Sequence, residues 1–333
     1  MRRLFRRATS PVTMTISRLP LALACLAGLL VPDSLCAQPA CFSASALPAR
    51  PGEERVQAAH GPGHVREYPM PAPQPVPAML SGSIRRVNLP AGMRLVALTF
   101  DLCEASGEVS GYDGAVVDLL RSEKVPATFF AGGKWTVDHP ERASQLISDP
   151  LFEIGNHTWS HANLAVRTAD VMRRQVDDTD MAIAAARADA AAAGCMLDKV
   201  PARTGLFRFP YGSCNAESMG YVNESGHLAI QWDVDSGDPA FIGAQTMAQS
   251  MLKAIKPGSI ILMHANGRGR HTAQALRLLI PALREKGYRF VTVSELLQAG
   301  TPVIASTCYS EHPGDTRVYD DAARAGRAVL PRP

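Results

Sequence analysis

Two histidines, His157 and His161, stand four residues apart in the stretch from Glu153 to His161. On a helical turn that spacing puts both imidazoles on one face, within reach of a single metal ion. Gly155-Asn156 ahead of them reads as the end of a short strand, 152–154, turning into that helical element. Zinc takes histidine ligands of this kind, and a catalytic zinc site keeps one position open for water. A zincin protease needs glutamate directly after its first histidine, and this chain has Thr158 there. The general base must come from another segment.

Other clusters offer acid–base and charge-stabilising groups. Asp101 ends an apolar run, where a carboxylate can take a proton from a water polarised by a metal. Arg208, in Arg208-Phe209-Pro210-Tyr211, suits the task of orienting such a carboxylate and keeping it ionised. Tyr211 follows a proline at a strand end, which would aim its backbone N–H at a developing oxyanion. His264 closes a strongly apolar run, with Asp233, Asp235 and Asp238 as candidate partners. A carboxylate beside an imidazole raises its pKa and makes it an acid near neutral pH.

Positioning these groups requires strands that end where they sit. The run 94–101 is short, apolar and β-rich, as in a buried parallel strand. A helix over 113–124, a strand over 127–131 and a helix over 140–148 follow. The strand before the histidines comes next, then an Ala-rich helix over 168–193 closed by Gly194. Further strands are expected at 206–209, 228–234, 259–263 and 290–293, with helices near 246–255 and 272–286. This alternation predicts the α/β class: a mostly parallel sheet with helices outside, doubly wound or closed as a barrel. In either, the ligand site lies at the carboxyl ends of the strands.

The 333 residues suffice for one large core or two small ones, and 46% hydrophobic with 20% charged residues fits a globular protein. A net charge of +3, without a basic stripe, argues against a nucleic-acid partner. Arg2, Arg3, Arg6 and Arg7 precede the apolar run 19–31, and Ala37 offers a small residue for cleavage. Residues 1–37 therefore read as a secretory signal peptide whose apolar run is too short to span a membrane comfortably. A lipobox at Cys36 fits poorly because Leu35 precedes it. The expected location is periplasmic or secreted. Cleavage would leave Cys41, Cys103, Cys195, Cys214 and Cys308, consistent with one or two disulfides and a free thiol. Residues 38–92 are Pro- and Ala-rich and read as a leader or linker, 93–300 as the folded domain, and 301–333 as a weakly ordered tail.

The ordered set Thr99-Phe100-Asp101, His157 to His161, Arg208 to Tyr211, Asp235 to Asp238 and Leu262-Met263-His264 resembles the five motifs of the polysaccharide deacetylases. These are the NodB-homology domains of carbohydrate esterase family four. The likeness extends over residues 94–298 and includes Ala127 to Phe130. It implies a distorted (β/α) barrel, usually seven-stranded, that removes N- or O-linked acetyl groups from glycans. By this resemblance His157 and His161 bind a divalent metal, usually zinc, and Asp101 is the general base tethered by Arg208. Tyr211 offers its amide to the oxyanion, Leu262 lines the acetyl pocket, and His264, partnered by Asp238, protonates the leaving amine.

Two departures stand out. Pro239 replaces the tryptophan that usually follows Asp238, so an aromatic wall of the acetyl pocket is missing or supplied elsewhere. Leu102 occupies the place of a second aspartate, the family's third metal ligand. Glu104, Asp113, Cys103, Asp101 itself or a water could complete the site. Cys103 shares a side with Asp101 if the strand continues, but an exposed thiol is prone to oxidation. Glu104 is therefore favoured, and Cys103 is a candidate for pairing with Cys214. The expected function is an exported, metal-dependent deacetylase of an acetylated polysaccharide or oligosaccharide, such as peptidoglycan or a chitin-like glycan. The alternative is a catalytically impaired glycan-binding protein of the same fold.

Overall fold

The strand Leu95–Leu102 is buried at every position, as a strand covered on both faces must be. It lies at the heart of a computed structural model that describes residues 41–58, 64–198 and 200–326. The signal peptide expected over 1–37 lies outside the described residues. In chain order the elements are β1 (Gln57–Ala58), β2 (Ser83–Asn88), β3 (Leu95–Leu102), β4 (Glu108–Val109), α1 (Gly114–Ser122) and β5 (Ala127–Ala131). Next come α2 (Gly133–Asp138), α3 (Pro140–Ser148), β6 (Phe152–Asn156), α4 (Ala169–Ala192), β7 (Leu206–Phe207) and α5 (Ala216–Glu224). The chain continues through β8 (Leu228–Ile230), β9 (Val234–Asp235), α6 (Ala244–Ala254), β10 (Ile260–His264) and α7 (Thr272–Glu285). It ends with β11 (Arg289–Phe290), α8 (Val293–Gln298), β12 (Thr301–Ala305) and α9 (Arg317–Arg324).

Strands run β12-β2-β8-β7-β6-β5-β3-β10-β9 across one sheet, with β11 added beside β3. From β2 to β10 every neighbouring pair is parallel. The sheet curls until its far members touch. Arg86 bridges Ser259, and the Val87 N–H donates to the Gly258 carbonyl at 2.9 Å, joining β2 to the turn before β10. Glycine is required there, because a Cβ on Gly258 would lie 1.7 Å from the Val87 carbonyl oxygen. The result is the distorted (β/α) barrel expected from the sequence, mostly parallel and wrapped by helices. Among the described residues, no helix is long and apolar enough to cross a membrane.

Several expectations need correction. The segment 38–92 is not merely a linker: β2 is a barrel strand, and β1 pairs with β4. Arg142 also holds this segment by donating to the carbonyls of Ala46, Leu47 and Pro48. The expected strand 290–293 is two elements, because Thr292 and Glu295 form a capping box that starts α8. The expected strand 228–234 is likewise broken into β8 and β9. The expected patternless tail carries regular structure among its described residues, β12 and α9. β12 pairs antiparallel with β2, and Cys308 is bonded to Cys214. Cys41 pairs with Cys195, which leaves Cys103 free rather than joined to Cys214.

Candidate active site

Asp101, next to last in β3, and His264, last in β10, are register partners across that parallel pair. Each is held by its own counter-charge. Arg208, fully buried, donates from Nη1 to Asp101 Oδ1 at 2.9 Å, and its other nitrogens donate to the carbonyls of Ile230 and Gln231. Burial alone would raise the Asp101 pKa, but the adjacent His157, Arg208 and His264 together hold it below the ordinary carboxyl value. Asp238, also fully buried, accepts from His264 Nδ1 at 2.8 Å and from the His264 backbone N–H at 2.8 Å. Burial opposes a charged His264, yet Asp238 outweighs it and lifts the imidazole to about 9. Of the other carboxylates weighed for that role, Asp233 is tied to the start of β10 and Asp235 to the Gly237 N–H.

The histidine pair is not on a helical turn. Thr158 and His161 adopt positive φ of 66° and 54°, which an α-helix does not allow, and the segment is an irregular loop. Asn156 caps it by accepting from the Thr158 N–H, while α2 receives it end-on: Gly133 and Lys134 N–H donate to the Thr158 and Trp159 carbonyls. Within this loop the two rings lie 5.0 Å apart, centroid to centroid. His157 Nδ1 faces the Arg208 carbonyl at 2.8 Å, so it carries the proton and Nε2 carries the lone pair. That Nε2 is buried, makes no hydrogen bond and lies 3.3 Å from Asp101 Oδ2. Burial pushes His157 below 6.5 and His161 well below it, so both stay neutral and able to ligate a metal. The orphaned Nε2 and the donor set around it would suit a divalent cation. Cys103, His157 and His161 offer ligand atoms all within 4.8 Å of one another.

Glu104, the favoured third ligand, is not among them. Its carboxylate is fully buried in an ion pair with Lys134 and accepts the Ser110 N–H at 2.8 Å. Strand alternation turns it away from the face that carries Asp101 and Cys103. Asp113 caps α1 by accepting the Val116 N–H. Cys103 is 4% exposed, so the exposure that counted against it is absent. Burial pushes its thiol up to about 12.

Tyr211 lies in the tight turn Pro210–Gly212 with φ 61°, and its ring packs 4.5 Å from that of His161. Leu262 is 6% exposed on β10, two residues before His264. Three contributors escaped the sequence reading. Trp232 shares an apolar cluster with Leu262 and Phe130 and lies against the Arg208 guanidinium. Asn266 donates to the Cys103 sulfur at 3.1 Å. Tyr319 of α9 stacks on Tyr211 at 5.3 Å. Only Asn266, two positions beyond His264, carried a local hint.

Comparison with known proteins agrees with this geometry. A family model described as polysaccharide deacetylase matches residues 89–230. A peptidoglycan-N-acetylglucosamine deacetylase of Bacillus cereus is 31% identical over 214 residues, covering 63% of this chain and 92% of that protein. A chitooligosaccharide deacetylase of a Bradyrhizobium species is 30% identical over 220 residues, covering 62% and 92%. Among solved structures, a carbohydrate esterase family four pseudoenzyme from Bacillus anthracis aligns with TM-score 0.54 and 26% identity, covering 65% and 69%. The chain belongs to the polysaccharide deacetylases of the NodB-homology type, hydrolases acting on carbon–nitrogen bonds other than peptide bonds.

Proposed function

We propose that this protein is an exported, metal-dependent N-deacetylase of an amino-sugar polymer such as peptidoglycan or a chitin-like glycan. The supporting observation is the pair of oppositely tuned groups, Asp101 with Arg208 and His264 with Asp238, flanking the unpartnered Nε2 of His157. His157 and His161 would hold the metal, and two imidazole ligands favour zinc. When bound, the ion supplies Lewis-acid polarisation of the acetyl carbonyl and acidifies an attacking water. Asp101 takes that water's proton, and Arg208 keeps it ionised and aimed. The Tyr211 backbone N–H faces the developing oxyanion, and Leu262 packs beside the acetyl methyl. His264, protonated at neutral pH, passes its proton to the departing nitrogen, and acetate and a free amine result.

The test is acetate release from N-acetylglucosamine oligomers and peptidoglycan fragments by the zinc-loaded mature protein, with Asp101→Asn as control. Release abolished by the substitution supports the reading; no release on any acetylated glycan sinks it. Sequencing the N-terminus of protein recovered outside the cytoplasm tests export, with a start near residue 38 expected. The second reading is a glycan-binding protein without turnover. It is favoured by the fully buried, apolar Leu102 at the sequence position of the family's third ligand, and by the likeness to a pseudoenzyme. Turnover that Asp101→Asn removes would eliminate it.

A further inference from the structure

We infer that Cys103 is a metal ligand, completing a Cys-His-His site with His157 and His161 in place of a carboxylate. This rests on the two-histidine metal site proposed above and specifies the rest of it. Beyond Leu102, which points into the core, the chain brings Cys103 back to the face that carries Asp101. There its sulfur and the two imidazoles offer ligand atoms within 4.8 Å of one another. Independently of the cysteine, His157 Nε2 is buried and makes no hydrogen bond, with Asp101 Oδ2 3.3 Å away.

The other side chains weighed as ligands have partners of their own: Glu104 is paired with Lys134, Asp113 caps α1, and Asp101 is paired with Arg208 through Oδ1. Cys214 is bonded to Cys308 and so leaves Cys103 a free thiol. Asn266 fixes the cysteine from behind, donating from Nδ2 to the Cys103 carbonyl at 2.6 Å and to its sulfur at 3.1 Å. An N–H donor at the sulfur stabilises a thiolate and orients it, as partners of ligands do in metal sites. On binding, the S–H proton leaves to solvent, a sulfur–metal bond forms, and no electron is transferred. One thiolate and two neutral imidazoles leave a fourth tetrahedral position open, the donor number of catalytic zinc sites. The soft sulfur favours zinc and cobalt over magnesium, calcium and manganese.

The test is titration of metal-free mature protein with Co²⁺, followed by absorption and calorimetry. One equivalent should bind with a sulfur-to-cobalt charge-transfer band in the near ultraviolet. Cys103→Ser should remove the band and weaken binding by about tenfold or more. Cys103→Asp should restore affinity without the band, and Asn266→Ala should shift the band, which keeps the test open if the serine variant folds poorly. Stoichiometric binding without a charge-transfer band, with affinity still lost in His161→Ala, would overturn the cysteine assignment and leave the histidine site standing. Failure of the native protein to take up cobalt or zinc would overturn both.

Discussion

Asp101 and His264 face each other across β3 and β10, yet Arg208 drives one towards its anion and Asp238 drives the other towards its cation. In the proposed mechanism, two titratable groups with pKa values pushed apart in one site would divide the labour of base and acid.

A bell-shaped pH dependence of kcat/KM follows, and its limbs can be moved separately. With His264 at about 9, activity should fall as pH rises through that value. Asp238→Asn should carry this alkaline limb down towards 6.5, with the acid limb unmoved. His264 has a raised folded pKa, so its contribution to stability is full below about 6.5 and is lost as pH rises through about 9. Asp101 has a depressed one, so its contribution is present above the ordinary carboxyl value and is lost as pH falls through the lowered one. Kinetics and thermal melts across pH check both signs.

Arg208→Met should destabilise the protein by about 3–5 kcal/mol, because it strands a buried carboxylate. The acid limb of the pH profile should rise at the same time. Adding Asp101→Asn should recover much of the stability and none of the activity, as read by urea unfolding and acetate release.

Gly133→Ala should be destabilising, although alanine is the better helix former. A Cβ there would lie 2.3 Å from the Trp159 ring, which belongs to the histidine loop. The expected cost is about 1–3 kcal/mol, as for other overpacked sites. Weaker metal binding should accompany it, measurable by calorimetry.

Removing the Cys214–Cys308 disulfide by a double serine substitution should cost about 2–5 kcal/mol. It also frees the segment that seats Tyr319 on Tyr211. Non-reducing peptide mapping should find this bridge and Cys41–Cys195, with Cys103 carrying a free thiol.

Tyr319→Ala should lower kcat/KM by roughly two- to tenfold, the equivalent of one aromatic pair of about 0.5–1.5 kcal/mol. Tyr319→Phe keeps the stacking ring and should retain activity. Equal rates for all three proteins would show that Tyr211 is held without α9.

What the sequence determined by itself was the order and chemical type of the groups at the strand ends. Asp101, His157, His161, Arg208 and His264 each follow an apolar run or a turn signal, and such signals are local. The mostly parallel α/β class was legible for the same reason, since alternating apolar runs and amphipathic segments permit few other layers, while the choice of a barrel over a doubly wound sheet came from the family resemblance. Tertiary structure alone decided which neighbour of Asp101 faces the histidines, because Lys134, thirty residues on, claims Glu104. It also decided that the histidine pair sits in a loop, since the carbonyls of that loop are received by α2 and not by a helix of its own. The disulfides and the pairing of β12 with β2 had no local signature either: Cys41–Cys195 and Cys214–Cys308 join positions 154 and 94 residues apart. Partners that distant leave no periodicity in the chain, and only the tertiary fold brings them together.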